Sequence, residues 1–123
     1  METITTRVHE VFKVLDFEVS TSMDKSSVAK VLIKVNQKTY SASSSGVGPI
    51  DALLKALAKA LPKKLNFELI SYKVEIRGQG SAALVFVNLG IKQKGLPSEG
   101  TGTSPDIIQA SILAFEDAYN ELS

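Results

Sequence analysis

Gly46-Val47-Gly48-Pro49-Ile50-Asp51-Ala52 closes a strand-like stretch and opens a helical one, and Gly100-Thr101-Gly102-Thr103-Ser104-Pro105-Asp106-Ile107 does the same further along the chain. The two aspartates stand 55 positions apart, as do Phe17-Glu18-Val19 and Tyr72-Lys73-Val74 upstream of them. A pattern that returns at a fixed spacing marks a duplicated unit. Each copy feeds a helix from a glycine-bearing turn. Each therefore presents a helix start, whose first amides lack intrahelical acceptors and attract an anion.

Outward from the first motif, Ile50, Leu53, Leu54, Leu57 and Leu61 form one apolar stripe, with Lys55 and Lys59 opposite. That spacing predicts an amphipathic helix over Pro49–Leu61. Gly48 falls at the N-cap and Pro49 at N1, where a missing N–H costs nothing. Asp51 lies in the first turn, where its charge favours the helix dipole. Upstream, Val11–Ser22 and Val28–Val35 read as strands and Thr39–Ser45 as a polar edge strand, separated by turns at Thr21–Ser26 and Asn36–Lys38. The second unit repeats the plan. Leu65–Ile76 is a strand and Arg77–Gly80 a turn; Ala82–Ile91 is an apolar strand whose continuous run suggests burial on both faces. A short polar edge, Lys94–Gly100, leads to a helix with Ser104 at its N-cap, Pro105 at N1 and Asp106 at N2. Its inner side reads Ile107, Ile108, Ser111, Ile112, Phe115, Tyr119 and Leu122.

The expected fold class is α+β, with duplicated βββα units related by a pseudo-two-fold and two helices packed on antiparallel sheets. Residues 1–10 read as a polar lead-in or linker. Residues 11–123 read as a single domain made of repeats 11–62 and 63–123.

A chain of 123 residues is long enough to bury a core without metal or disulfide staples. Its 14 basic and 13 acidic residues give a net charge of +1, which is no electrostatic footprint for nucleic acid. Lys63-Lys64 and Lys92-Gln93-Lys94 are short enough to be solvated faces. There is no cysteine, hence no disulfide framework, thiol nucleophile or thiolate metal site. The first ten residues lack the apolar core of a signal peptide, and no window is apolar enough to span a membrane. A cytoplasmic protein is the expectation. His9 is the sole histidine, with only Glu10 beside it, so neither a metal site nor a Ser/His/Asp set is present. Glu18, Glu68 and Glu75 form no acid–base pair that sequence can show, and Tyr40, Tyr72 and Tyr119 read as rim packing. Neither glycine pair has the third glycine of a dinucleotide fingerprint. The glycines either permit tight strand-to-helix turns or let a ligand reach backbone amides.

The two glycine motifs together, at this spacing and after strands, resemble the C-terminal regulatory domain of 2-isopropylmalate synthase; citramalate synthases carry a similar domain. The resemblance runs from about Phe12 to Leu122. It implies a duplicated βββα fold that forms a homodimer and binds a branched-chain amino acid, leucine or isoleucine, as feedback inhibitor. It also implies a catalytic barrel, in the same or another chain, that this sequence lacks; the barrel's metal-binding His-x-His pattern has no counterpart here. The chain is thus expected to be a regulatory module and not an enzyme, with no cofactor. Two departures distinguish the second motif: Pro105 stands where the family more often has threonine, and one more residue separates its second glycine from its aspartate.

The effector site implied by the resemblance comprises Gly46, Val47, Gly48, Ile50, Asp51 and Ala52, with Gly102, Ser104, Asp106 and Ile107 in the second half. A zwitterion needs N–H donors for its carboxylate, which the helix starts supply at N2 and N3. Its ammonium needs acceptors, either carbonyls near the glycines or Asp51 and Asp106, which otherwise serve the helix dipoles. Its aliphatic side chain needs a cup, for which Ile50, Ala52, Ile107 and Ile108 are nearest unless they belong to the core. A ligand-free dimerisation module, pairing through the polar edges Thr39–Ser45 and Lys94–Gly100, is the alternative.

Overall fold

The computed structural model describes residues 12–23 and 25–122, so the lead-in and His9 lie outside the described residues. Strand β1 (Phe12–Ser22) pairs with β2 (Lys25–Val35), and β2 with β3 (Lys38–Gly46), all antiparallel. Helix α1 (Pro49–Ala60) packs on β2 and β3. A 3-10 turn at Lys63–Leu65 leads to β4 (Glu68–Arg77), which starts three residues later than the apolar pattern suggests. Strands β5 (Leu84–Gln93) and β6 (Leu96–Ser104) complete a second three-stranded sheet, in the order β4-β5-β6. Helix α2 (Ile107–Glu121) packs on β5 and β6. The expected duplicated βββα architecture is the one observed, with the strands split into two sheets.

The register shows how closely the halves correspond. Every one of the nine β2–β3 partner pairs recurs in β5–β6, moved by 58 positions: Ser27↔Gly46 becomes Val85↔Ser104, and Val35↔Lys38 becomes Gln93↔Leu96. Strand β1 maps on β4 at 55, down to the bulge at Leu15 that recurs at Ile70. The slip from 55 to 58 is three extra residues in the β4–β5 connection, where a 3-10 turn at Gly80–Ala82 enlarges the loop. The aspartates of the two motifs are therefore not equivalent. Asp51 corresponds to Gln109, and Asp106 corresponds to Gly48.

Each helix lies close on its sheet through small residues. Ala52, Ala56 and Ala60 of α1, and their counterparts Ala110, Ala114 and Ala118 of α2, are all buried. A Cβ on Gly100 would meet the backbone of Ala114 and Ala118, and one on Gly102 that of Ala110 and Ala114. These two glycines stand inside β6, not in the turn before the helix as their position in the motif suggests. Their missing side chains set the distance between helix and sheet.

Helix α2 joins the halves. Phe12 and Phe67, equivalent at 55, both pack on Phe115, with ring centroids 5.2 Å and 4.7 Å away. Asn120 brackets the first residue of β1, accepting from the Phe12 amide at 2.9 Å and donating to its carbonyl at 3.0 Å. Glu116, one turn earlier, accepts from Val14 N–H at 2.7 Å. In β5 only the helix side (Val85, Val87, Leu89, Ile91) is buried throughout; on the other side Leu84 is exposed and Phe86 half-buried. The two-sided burial expected of this strand is not met among the described residues, none of which forms a layer over the outer face.

Candidate functional site

The turn from β3 into α1 follows from three local facts. Gly46 ends the strand where a Cβ would stand 2.5 Å from Ala52 N and 2.6 Å from Asp51 Oδ2, so the first helical turn folds directly over it. Gly48 is the N-cap, in extended conformation (φ −143°, ψ 178°), with no side-chain cap and nothing within 4 Å of a would-be Cβ. Pro49 follows at N1. The first intrahelical bond is Ala52 N to Gly48 O at 2.9 Å. Helix geometry leaves the amides of Ile50 and Asp51 pointing out of the N-terminus.

The Asp51 carboxylate closes the turn. Its Oδ2 accepts from Val47 N–H at 2.9 Å and pairs with Lys55 at 3.1 Å, one turn on. The Val47 amide first, then Lys55, hold its pKa below the usual carboxylate value. Val47 is 91% exposed, whereas Ile50 is half-buried against the core and Ala52 is fully buried over Gly46. Ala52 thus lies beneath the turn and Val47 on its outside. The α1 start combines two outward amides, an open glycine and an exposed branched side chain.

The second turn is built differently. Asp106, not Ser104, is the N-cap of α2, and the helix begins at Ile107, so Pro105 precedes the cap. The β6 register carries the chain two residues further than the Ser-Pro-Asp spacing alone implies. Asp106 Oδ1 accepts from Ile108 N–H at 2.8 Å. Ser104 Oγ accepts from Asp106 N–H at 3.1 Å and donates to Gln109 Oε1 at 3.0 Å. Ser104 is buried and Ile107 exposed. Asp106 thus takes one of this start's outward amides, that of Ile108, and Gly102 faces the α2 backbone, so the two half-sites share a position in the fold but only the first has no side chain at its N-cap.

A hollow lies elsewhere. A concavity of about 550 Å³ on the outer face of the second sheet is lined by Lys73, Glu75, Arg77, Phe86, Asn88 and Glu99. Arg77 pairs with Glu75 at 3.0 Å and lies 4.3 Å over the Phe86 ring. It is an open face with its charges matched internally, and it does not include the helix starts. Among the described residues no group of three or more His, Asp or Glu side chains is placed to hold a metal, and no helix is long and apolar enough to cross a membrane.

Sequence reasoning missed polar contacts both within the second half and between the halves. Tyr72 Oη and Ser111 Oγ lie 2.7 Å apart, and Ser111 also donates to Ile107 O at 2.8 Å. The lone serine on the inner side of α2 was the available signal. Glu116 and Asn120, spaced i and i+4 on that helix, were another, since residues at that spacing share a face.

The class is thus a pseudo-symmetric βββα pair with one open and one self-capped helix start. The chain belongs to the family of LeuA allosteric (dimerisation) domains, whose model matches residues 1–123. It is 36% identical over 115 residues to a 2-isopropylmalate synthase of Aquifex aeolicus (strain VF5), covering 91% of this chain and 21% of that protein. To the 2-isopropylmalate synthase of Xanthomonas campestris pv. campestris (strain B100) it is 38% identical over 118 residues, covering 94% of this chain and 22% of the relative. The chain spans about a fifth of the length of the curated relatives it matches.

Proposed function

We propose that this module binds a branched-chain amino acid, leucine or isoleucine, as feedback inhibitor of a 2-isopropylmalate or citramalate synthase, and that it does so as a homodimer attached to a catalytic barrel in the same or another chain. The observation that carries the reading is the asymmetry of the helix starts. At α1 the N-cap is glycine and two amides face outward; at α2 an aspartate fills the equivalent place. An α-carboxylate set at the α1 start would do there what Asp106 does in α2, with charge-assisted hydrogen bonds that are the stronger kind. Val47 and Ile50 are the nearest aliphatic surfaces. The site comprises Gly46, Val47, Gly48, Ile50 and Asp51, with Ala52 supporting it from below. Gly102, Ser104, Asp106 and Ile107 form the structural counterpart, which binds only if its own cap is displaced. Binding favours one arrangement of the dimer, and coupling of that kind is typically about 1–3 kcal/mol.

The alternative, a dimerisation module without ligand, is separated by a thermal-shift panel of the standard amino acids. An effector module is stabilised selectively by leucine or isoleucine, by an amount that grows with concentration. Equal melting temperatures across the panel would refute the effector reading and leave the dimerisation module.

A further inference from the structure

Two three-stranded sheets have four edge strands, and helix side chains bond to the outward backbone of three of them at one or two residues each. Asn120 and Glu116 take the outward amides of Phe12 and Val14 on β1. Lys59 donates to Ser43 O on β3 at 3.2 Å, and its counterpart Asp117 accepts from Thr101 N–H on β6 at 2.9 Å. One backbone group of the polar edge Thr39–Ser45, and one just past the polar edge Lys94–Gly100, are therefore already engaged. The positions that correspond to Glu116 and Asn120 are Ala58 on α1 and Pro62 just past its end, neither of which can cap a strand. Among the described residues nothing bonds to the outward backbone edge of β4.

Backbone direction and side-chain face alternate together along a strand. Helix-facing Phe12 and Val14 point their amides away from β2, and beyond the bulge at Leu15 so does Phe17, whose amide goes to Asp16 Oδ1; Tyr72, Val74 and Ile76 of β4, which match Phe17, Val19 and Thr21, likewise point theirs away from β5. That edge is also apolar on the helix side, with Leu69 40%, Val74 39% and Ile76 65% exposed. An open edge of this kind is a template for another strand. The outer face of β4 carries Lys73, Glu75 and Arg77. If a second copy pairs antiparallel about Val74, Lys73 faces Glu75 of the second copy, twice by symmetry, and Tyr72 faces Ile76. Centring the pair on Lys73 or on Glu75 instead would oppose like charges.

We infer that a second copy of this chain adds to the second sheet through β4, antiparallel and centred on Val74, so that two three-stranded sheets become one of six strands across the dimer axis. The inference rests on the homodimer proposed above and names its surface and register.

The chain has no cysteine, so single cysteines report the register directly. Directly opposed residues of antiparallel strands lie about 4.5–5.5 Å apart at Cα, within disulfide range. Under mild oxidation V74C should link to itself. Y72C and I76C should stay unlinked alone, their own copies lying roughly 13 Å apart along the strand, and should link when the two proteins are mixed. By sedimentation equilibrium K73E and E75K should each weaken the dimer at least tenfold, and the K73E/E75K pair should recover most of it; circular dichroism checks that all remain folded. A monomeric wild-type chain would overturn this inference and the homodimer together. A wild-type dimer in which V74C does not link, or in which the double exchange fails to restore association, would overturn the β4 register alone.

Discussion

Gly48→Asp separates ligand binding from folding at a single position. Gly48 and Asp106 occupy the same N-cap place, 58 residues apart. The backbone at Gly48 is extended, which aspartate adopts without strain, and no atom lies within 4 Å of its would-be Cβ. The new carboxylate should take the Ile50 amide as Asp106 takes that of Ile108. An N-cap aspartate gains only a few tenths of a kcal/mol over glycine, and repulsion from Asp51 trims that. The unliganded melting temperature should therefore move by about 2 °C or less. The effector's carboxylate meets an occupied amide and a like charge. Loss of one hydrogen bond to a charged group costs about 1.5–3 kcal/mol, which is more than tenfold in Kd. Calorimetric titration with leucine and isoleucine, beside a thermal melt, reads both quantities. Wild-type affinity in a folded G48D protein would refute the assignment of the site; a protein that no longer folds would refute the reading of Gly48 as open.

Gly102→Ala should cost about 1–3 kcal/mol in urea unfolding, because its Cβ would overlap the Ala110 carbonyl and stand 2.6 Å from Ala114 N; wild-type stability would mean that α2 does not rest on this glycine. Gln37→Gly should stabilise by about 1 kcal/mol, since Gln37 holds φ +78° where its counterpart Gly95 holds φ +81°; a melting temperature that falls would contradict this. Burial first raises the Glu116 carboxyl above its ordinary value of 4.5, and the Val14 amide and Lys13 pull it partly back. A folded pKa above the unfolded one gives stability that is complete below about pH 4.5 and lost as pH rises through the raised value. Glu116→Gln should flatten that part of the pH–stability curve and be no less stable at pH 7, with its amide oxygen still accepting from Val14; an unchanged curve from pH-dependent urea melts would exclude Glu116 as its source. Tyr72→Phe should lose about 0.5–1.5 kcal/mol, the worth of its bond to Ser111, with the far-ultraviolet spectrum unchanged.

Much of the fold was legible in the chain. The stripe from Ile50 to Leu61 gave α1 with its start at Gly48, because glycine then proline is a helix entry whatever surrounds it. Alternation placed β1 and β2, and the lone serine of α2 marked a polar contact whose partner remained unseen. The misreadings share a cause. Ser104 and Asp106 are both good N-cap residues, and sequence chose the first; strand pairing chose the second. Gly100 and Gly102 looked like turn glycines because they resemble Gly46 and Gly48, but three residues inserted after β4 slide the second motif into a strand.

Local pattern by itself determined that there are two βββα units, where their apolar faces lie, and that two helix starts stand in similar places. Each of those depends on near neighbours, through side-chain periodicity and the backbone limits of glycine and proline. Tertiary structure alone decided which residues are equivalent, that one helix has glycine at its N-cap and the other an aspartate that takes its own helix's amide, and that among the described residues no helix side chain bonds to the outward backbone of β4. Those outcomes depend on register and on side chains about a hundred residues apart, such as Glu116 and Asn120 reaching β1, and hydrogen bonds of that range leave no period in the sequence.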